Sequence, residues 1–330
     1  MEDIARLAGL SKSTVSRALQ EDPRIRATTR ERVAALARKH GYAVNSNARK
    51  LRLNRSNTIA VVIHLPPAAS PEWSGPFIFQ LLTDVANQLW LRRQDLLLVP
   101  PESEQPLAYQ SILASKGADG IIFLGQGAND KWLLDLARTN SPFVVWGAVE
   151  RRPRYCTIGS DNQKGGALVA RRFLELGRRH ILFVGNRQHL EMAQRLEWMR
   201  AELDASGGSY SLDYVEVDDF TFDSALAAVH RYLSDRRAKE MPNAIFAASD
   251  EFALATLAAV DEAGLHVPSD VSVIGYDDLP SASHVRPALT TVRQDTRQAG
   301  ALLVEKLFQM IDGGKPASTM IPTELVVRQT

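Results

Sequence analysis

From Thr58 onward the chain alternates short, β-branched apolar runs with stretches of helical apolar spacing, and this alternation narrows the possible folds most. TIAVVIHL, from Thr58, is a continuous apolar run, the pattern of a strand covered on both faces. After it come a helical stretch from Phe77 to Arg92, LLLVP from Leu96, a helix from Leu107 to Lys116, GIIFLG from Gly120, a helix from Leu133 to Arg138, then FVVWG and YCTIGSD. A second set begins near Asp161. Its predicted helices run over Gly165–Leu176, Leu190–Ala205, Ser224–Asp235 and Glu251–Ala263, among the strands HILFVG, VEV, AIFAAS and VSVIGYDD. Strands joined through helices are parallel strands, so the spacing predicts two Rossmann-like α/β lobes.

The first 57 residues are of another kind. They hold 13 Lys and Arg against 5 Asp and Glu, a net of +8, whereas the remainder holds 26 against 33, a net of −7. The overall +1 therefore hides a basic head on a mildly acidic body, the asymmetry of a polyanion-binding module. Within the head, DIARLAGLSKSTVSRAL places Ile4, Leu7 and Ala8, then Val15, Ala18 and Leu19, at i, i+3, i+4. Between the two sets lies Gly9-Leu10-Ser11, where Gly accepts a tight turn and Ser11 is a natural N-cap. This spacing predicts two short helices joined by a tight turn, either a helix-turn-helix or an ordinary αα-hairpin; the second helix turns Lys12, Ser13, Ser16 and Arg17, with Thr14 beside them, away from the apolar face, where they suit a DNA groove. A third helix carries Val33, Leu36 and Ala37, with Thr28 and Glu31 placed as a capping box.

The stretch D-I-A-x-L-A-G-L-S-x-x-T-V-S-R-A-L, then T-R-E-R-V, Gly41-Tyr42 and N-x-x-A-R-x-L from Asn45 to Leu51 resembles the DNA-binding head of the LacI/GalR family of bacterial transcription regulators. The resemblance covers essentially the whole chain. It implies a small all-α helix-turn-helix head over 1–43 and a hinge over 44–57. It also implies a two-lobed α/β core of the periplasmic-binding-protein-like (type I) class over 58–330. In the family the hinge pairs in a dimer and enters the minor groove, which assigns Asn45, Ala48, Arg49 and the wedge Leu51 to DNA; Val44 stands where the family has Pro. Family members also carry a Thr cap just before the position of Met1. Three chain crossings between lobes are implied near 160, 290 and 320. Lobe 1 then comprises about 58–159 and 290–318, and lobe 2 about 160–289 and 319–330.

Ligands of open α/β sheets lie beyond the carboxyl ends of the strands, and three ends here carry aspartate: GSDN (Asp161), AASD (Asp250) and GYDD (Asp277). Carboxylates converging on a cleft suit a polyhydroxylated molecule, although such residues also serve as plain helix caps. By resemblance, Arg195 forks onto the ligand, Phe220 lies against its apolar face, and Gln294 and the Ser74–Phe77 loop contact it. Trp198 stands where the family has Gly and is placed to narrow the cleft. In the family that the chain resembles, an insertion such as PPAASPEWSGPF, here with four prolines, goes with disaccharide or oligosaccharide use.

No phosphate loop, dinucleotide fingerprint, zinc-helix motif or nucleophile elbow is present, and the seven histidines lack metal-ligand spacing, so no catalytic residue, metal or cofactor is expected. No apolar run reaches the 18 residues of a membrane span, the N-terminus reads as a charged helix, and one cysteine, Cys156, fits a reducing cytoplasm. The expected function is a dimeric, sequence-specific DNA-binding regulator, a repressor whose operator affinity is set by a sugar or disaccharide. In the family purines are an alternative effector. The competing classes are a sugar-binding protein of a transport system, which has no use for a basic head, and a sugar-converting enzyme.

Overall fold

The computed structural model describes residues 1–19, 22–41, 55–63, 75–100, 106–127, 131–235 and 241–330. The expected hinge residues Asn45, Ala48, Arg49 and Leu51, and the loop residue Ser74, lie outside these. The chain divides into two units, Met1–Ser56 and Asn57–Thr330.

The head holds helices α1 (Glu2–Ala8), α2 (Lys12–Leu19) and α3 (Ala27–Lys39). Gly9 ends α1 in the left-handed conformation (φ 62°), which only Gly adopts without cost, and its N–H and that of Leu10 return to the last carbonyls of α1. Ser11 caps α2, its Oγ accepting the Thr14 N–H at 3.1 Å. Ile4, Ala5, Ala8, Val15, Ala18 and Val33 form the core, with Leu10, Leu19, Ile25 and Leu36 packed around it. Arg32 of α3 donates to the Ala8 carbonyl at 3.1 Å, tying the third helix to the turn. Two local expectations are corrected. Leu7 is half exposed, because Ala5 occupies the inner face beside Ile4 and Ala8. The proposed Thr28–Glu31 capping box does not form, because α3 begins two residues earlier than such a box requires, at Ala27, with Arg26 as N-cap.

The second unit holds two six-stranded sheets. Lobe 1 is built from β1 (Thr58–Ile63), α4 (Pro76–Leu91), β2 (Asp95–Val99), α5 (Pro106–Ala114), β3 (Gly120–Leu124), α6 (Lys131–Ala137), β4 (Phe143–Trp146) and β5 (Thr157–Ser160). Lobe 2 follows with α7 (Asn162–Glu175), β6 (His180–Gly185), α8 (Leu190–Ala205), β7 (Ser211–Glu216) and α9 (Phe222–Ser234). It continues through β8 (Ala244–Ala247), α10 (Asp250–Glu262), β9 (Ser272–Asp277), α11 (Pro280–His284) and β10 (Thr290–Arg293). Helix α12 (Thr296–Ile311) returns to lobe 1, and β11 (Thr319–Ile321) and β12 (Glu324–Val326) close one sheet each. The strand orders are β11-β5-β4-β3-β1-β2, all parallel, and β12-β10-β9-β8-β6-β7, parallel except for β12.

Central strands are buried on both faces, as continuous apolar runs require. In β1, Ile59, Val61 and Ile63 face α4 and α12, while Ala60 and Val62 face the ring cluster of Tyr109, Phe123, Trp132 and Phe143. The chain crosses between lobes at 161, 294–295 and 322–323. The lobe limits drawn from the sequence are thus corrected at two strands. TTVR (290–293) pairs with β9 and belongs to lobe 2, whereas Thr319–Ile321 pairs with β5 and belongs to lobe 1. Pairing partners decide a strand's sheet, and three- or four-residue strands carry too little pattern to reveal them.

Edge strand β2 leaves Leu96, Leu97 and Leu98 exposed, next to Trp90 (75% exposed) and Leu91 (66%) at the end of α4. Exposed large apolar side chains along a sheet edge are the kind of surface that proteins otherwise cover.

Candidate functional sites: an exposed helix face and an interlobe cleft

On the head, burying Val15 and Ala18 against α1 and α3 turns Lys12, Ser13 and Arg17 outward, with Thr14 and Ser16 at the margin of the same face. Lys12 pairs with Glu2 of α1, and that pairing lowers the Glu2 carboxyl pKa. The outward set is one of hydroxyl donors and cations, which suits base edges and phosphates.

In the core unit a cleft opens between the lobes. Lobe 1 supplies Phe77 and Ile78 from the start of α4, Gln126 after β3, Trp146 at the end of β4 and Ser160 at the end of β5. Lobe 2 supplies Asn162, His189, Met192, Arg195, Phe220, Glu251, Asp277 and Leu279, and Gln294 comes from the second crossing. Every polar member stands at a strand end or in a helix's first turns, except Arg195, which reaches up from the second turn of α8.

Arg195 is 6% exposed and held on three sides. Its Nε donates to Asn162 Oδ1 at 2.8 Å, its Nη1 to the Ala248 carbonyl at 2.6 Å, and its guanidinium lies 3.6 Å from the Tyr276 ring centre. Helix α8 approaches so closely because Gly166 of α7 leaves room: a Cβ there would stand 2.1 Å from the Arg195 carbonyl oxygen. The guanidinium fork is thereby fixed before any ligand arrives.

Asp277 is the last residue of β9. Its carboxyl accepts Gln294 Nε2 at 2.6 Å, and burial, with the nearby Asp250 carboxylate, raises its pKa above the ordinary carboxylate range. Asp277 (φ 130°) and Asp278 (φ 59°) are consecutive non-glycine residues at positive φ, and such conformations cost about 1–3 kcal/mol each. Two aromatic surfaces complete the cleft. In lobe 1, Phe77 and Trp146 have ring centres 5.8 Å apart; in lobe 2, the Phe220 and His189 ring centres are 4.9 Å apart in a T-shaped arrangement. Burial lowers the His189 pKa, keeping the imidazole neutral, and raises that of Glu251.

Of the eight sequence-predicted ligand positions, the fold brings Phe77, Arg195, Phe220, Asp277 and Gln294 together in the cleft. Asp161 and Asp250 do not line it, which corrects the reading of those strand ends. Asp161 is the N-cap of α7, accepting the Lys164 N–H at 2.9 Å. Asp250 is fully buried, accepting the Leu279 N–H at 2.7 Å and the Thr291 hydroxyl at 2.5 Å, and so braces the turn that carries Asp277. Trp198 is likewise absent from the cleft lining. Sequence reasoning missed Gln126, Trp146 and Ser160. The strand-end rule, applied to lobe 1 as it was to lobe 2, points at all three.

Among the described residues no helix is long and apolar enough to cross a membrane, and no group of three His, Cys, Asp or Glu could hold a metal ion.

A basic helix-turn-helix joined to a two-lobed cleft is the build of a ligand-responsive regulator. Residues 1–45 match the family model described as bacterial regulatory proteins, lacI family, and residues 170–330 match a periplasmic binding protein-like domain. The chain is 31% identical to the HTH-type transcriptional regulator CelR of Thermobifida fusca, over 100% of this chain and 97% of that protein. It belongs to the LacI family. Among solved structures, the lac repressor dimer bound to operator and the anti-inducer ONPF matches with a TM-score of 0.84 and 25% identity, over 99% of this chain and 97% of that one. A CelR–cellobiose complex matches with a TM-score of 0.71 and 29% identity, over 99% and 98%.

Proposed function

We propose that this chain is a dimeric transcriptional repressor that binds a specific operator through α2 and releases or tightens it in response to a neutral sugar or disaccharide. The carrying observation is the preset Arg195 fork beside Asp277, set between aromatic surfaces on the two lobes. A guanidinium and a carboxyl side by side satisfy vicinal hydroxyls, and flat aromatic faces cover the C–H face of a sugar ring. The cellobiose complex of the structurally similar CelR supports the same ligand class.

Lys12 and Ser13 read bases, while Thr14, Ser16 and Arg17 divide between bases and phosphates. Asn45, Ala48, Arg49 and Leu51 form the minor-groove contact. The exposed apolar side chains of Trp90, Leu91 and Leu96–Leu98 are the surface that a second copy covers. The protein acts in the cytoplasm, where its DNA is, and needs neither cofactor nor catalysis.

Selection from a random duplex library at low and moderate salt tests the DNA-binding claim, and a metabolite panel scored by rise in melting temperature tests the effector claim. Enrichment of one two-fold-symmetric sequence and a sugar among the stabilising compounds are expected. Product formation from a panel sugar would instead indicate an enzyme.

A further inference from the structure

The cleft uses Asp277, and its neighbour Asp278 is held by two guanidinium groups. Asp278 does not line the cleft and accepts Arg293 Nε at 2.6 Å and Arg328 Nη2 at 2.5 Å, and Arg293 also pairs with Glu324. These residues sit at telling places. Arg293 ends β10 just before the crossing at 294–295, Glu324 opens β12 just after the crossing at 322–323, and Arg328 follows β12. Arg328 Nη1 also holds the Leu289 carbonyl, at 2.7 Å, on the segment leading into β10. The Asp278 N–H reaches Thr291 Oγ1 at 3.4 Å, and Thr291 in turn donates to the buried Asp250. The 277–279 turn is therefore gripped from outside by two guanidinium groups and from inside by Asp250.

Neither positive-φ residue is glycine, so the turn has no intrinsic preference for its shape and takes it from these partners. We propose that Asp278 is a positioning residue for effector binding: its clamp by Arg293 and Arg328 holds the turn that presents the Asp277 carboxyl to the cleft and to Gln294. The same clamp ties that carboxyl to the strands flanking two of the three interlobe crossings, so cleft chemistry and crossing geometry share one set of bonds. A salt bridge that merely stabilised lobe 2 would leave the Asp277–Gln294 contact unaltered when broken.

The inference rests on the cleft being the effector site, but its test needs no effector. The Gln294 side-chain amide, identified by its loss in Gln294→Ala, is followed by nitrogen–proton correlation spectroscopy on the ligand-free full chain. The amides of Asn162 and Gln126, buried elsewhere in the cleft wall, serve as references. In Asp278→Ala the Gln294 amide is expected to exchange with solvent at least tenfold faster, with the two references unchanged. If Asp278→Ala does not fold, Arg293→Gln and Arg328→Gln release the clamp from the other side and are read by the same signal. An unchanged Gln294 amide in a destabilised variant overturns the proposal, and so does equal acceleration of all three amides. Failure to find a sugar effector would leave these signals as they are and count only against the functional reading.

Discussion

Arg195→Ala is a natural choice for severing effector response from DNA binding, and the structure says it does more than that. Two buried acceptors, Asn162 Oδ1 at 2.8 Å and the Ala248 carbonyl at 2.6 Å, lose a charged donor. Hydrogen bonds to charged groups contribute about 1.5–3 kcal/mol each. The guanidinium 3.6 Å from the Tyr276 ring adds about 2 kcal/mol where desolvated. Water entering from the open cleft relieves part of this loss, so the expected destabilisation of the core unit is about 3–5 kcal/mol. For a unit of this size that lowers the melting temperature by roughly 6–20 °C. Urea unfolding followed by circular dichroism measures it directly, and Arg195→Lys, which keeps a donor but not the fork, should fall between the two. A loss below about 1 kcal/mol for Arg195→Ala would refute the claim that the fork is preset, and with it the assignment of Arg195 as the fixed anchor of the site.

Asp277→Asn should stabilise the ligand-free protein. An acid whose folded pKa is raised above its unfolded value loses stability as pH rises through that interval, so the gain over wild type should grow from about pH 4 upward in paired melting curves, while sugar binding weakens. Phe77→Ala removes half of the lobe 1 aromatic surface and should weaken a sugar effector roughly tenfold, by about 1.4 kcal/mol, in calorimetric titration, with ligand-free DNA binding unchanged. Gly166→Ala places a Cβ 2.1 Å from the Arg195 carbonyl oxygen and should destabilise the core by about 1–3 kcal/mol in the same unfolding assay. Ser11→Ala removes the α2 cap and should weaken the head by about 0.5–2 kcal/mol, read as a lower melting temperature of the head with that of the core unaltered.

Much of this architecture is legible in the residues because the signals are local or strongly periodic. Gly9 and Ser11 announce the turn between α1 and α2, and short apolar runs such as TIAVVI and HILFVG, recurring between helical stretches, fit strands covered on both sides. What the sequence does not carry is which long-range partner a group will take. Asp161, Asp250 and Asp277 look alike at their strand ends, yet one caps a helix, one braces a turn and one faces the cleft, according to neighbours 3 to 41 residues away. The same reasoning explains TTVR, whose sheet is decided by its pairing with β9 and not by its four residues. Leu7 and Ala5 exchanged roles because both satisfy helical spacing and only the packing of α2 and α3 selects between them.

If the chain is the regulator proposed, one molecule couples a sugar in the interlobe cleft to an operator on the head. Fluorescence anisotropy of the full chain on a duplex chosen by selection, with cellobiose and then a panel of neutral disaccharides titrated in, tests it most directly. Coupling of about 1–3 kcal/mol predicts that at least one of these sugars shifts operator affinity 5- to 150-fold, and that Asp277→Asn loses the shift while still binding the operator. A sharp operator preference that no sugar of the panel alters, in a chain whose melting temperature none of them raises, would contradict it.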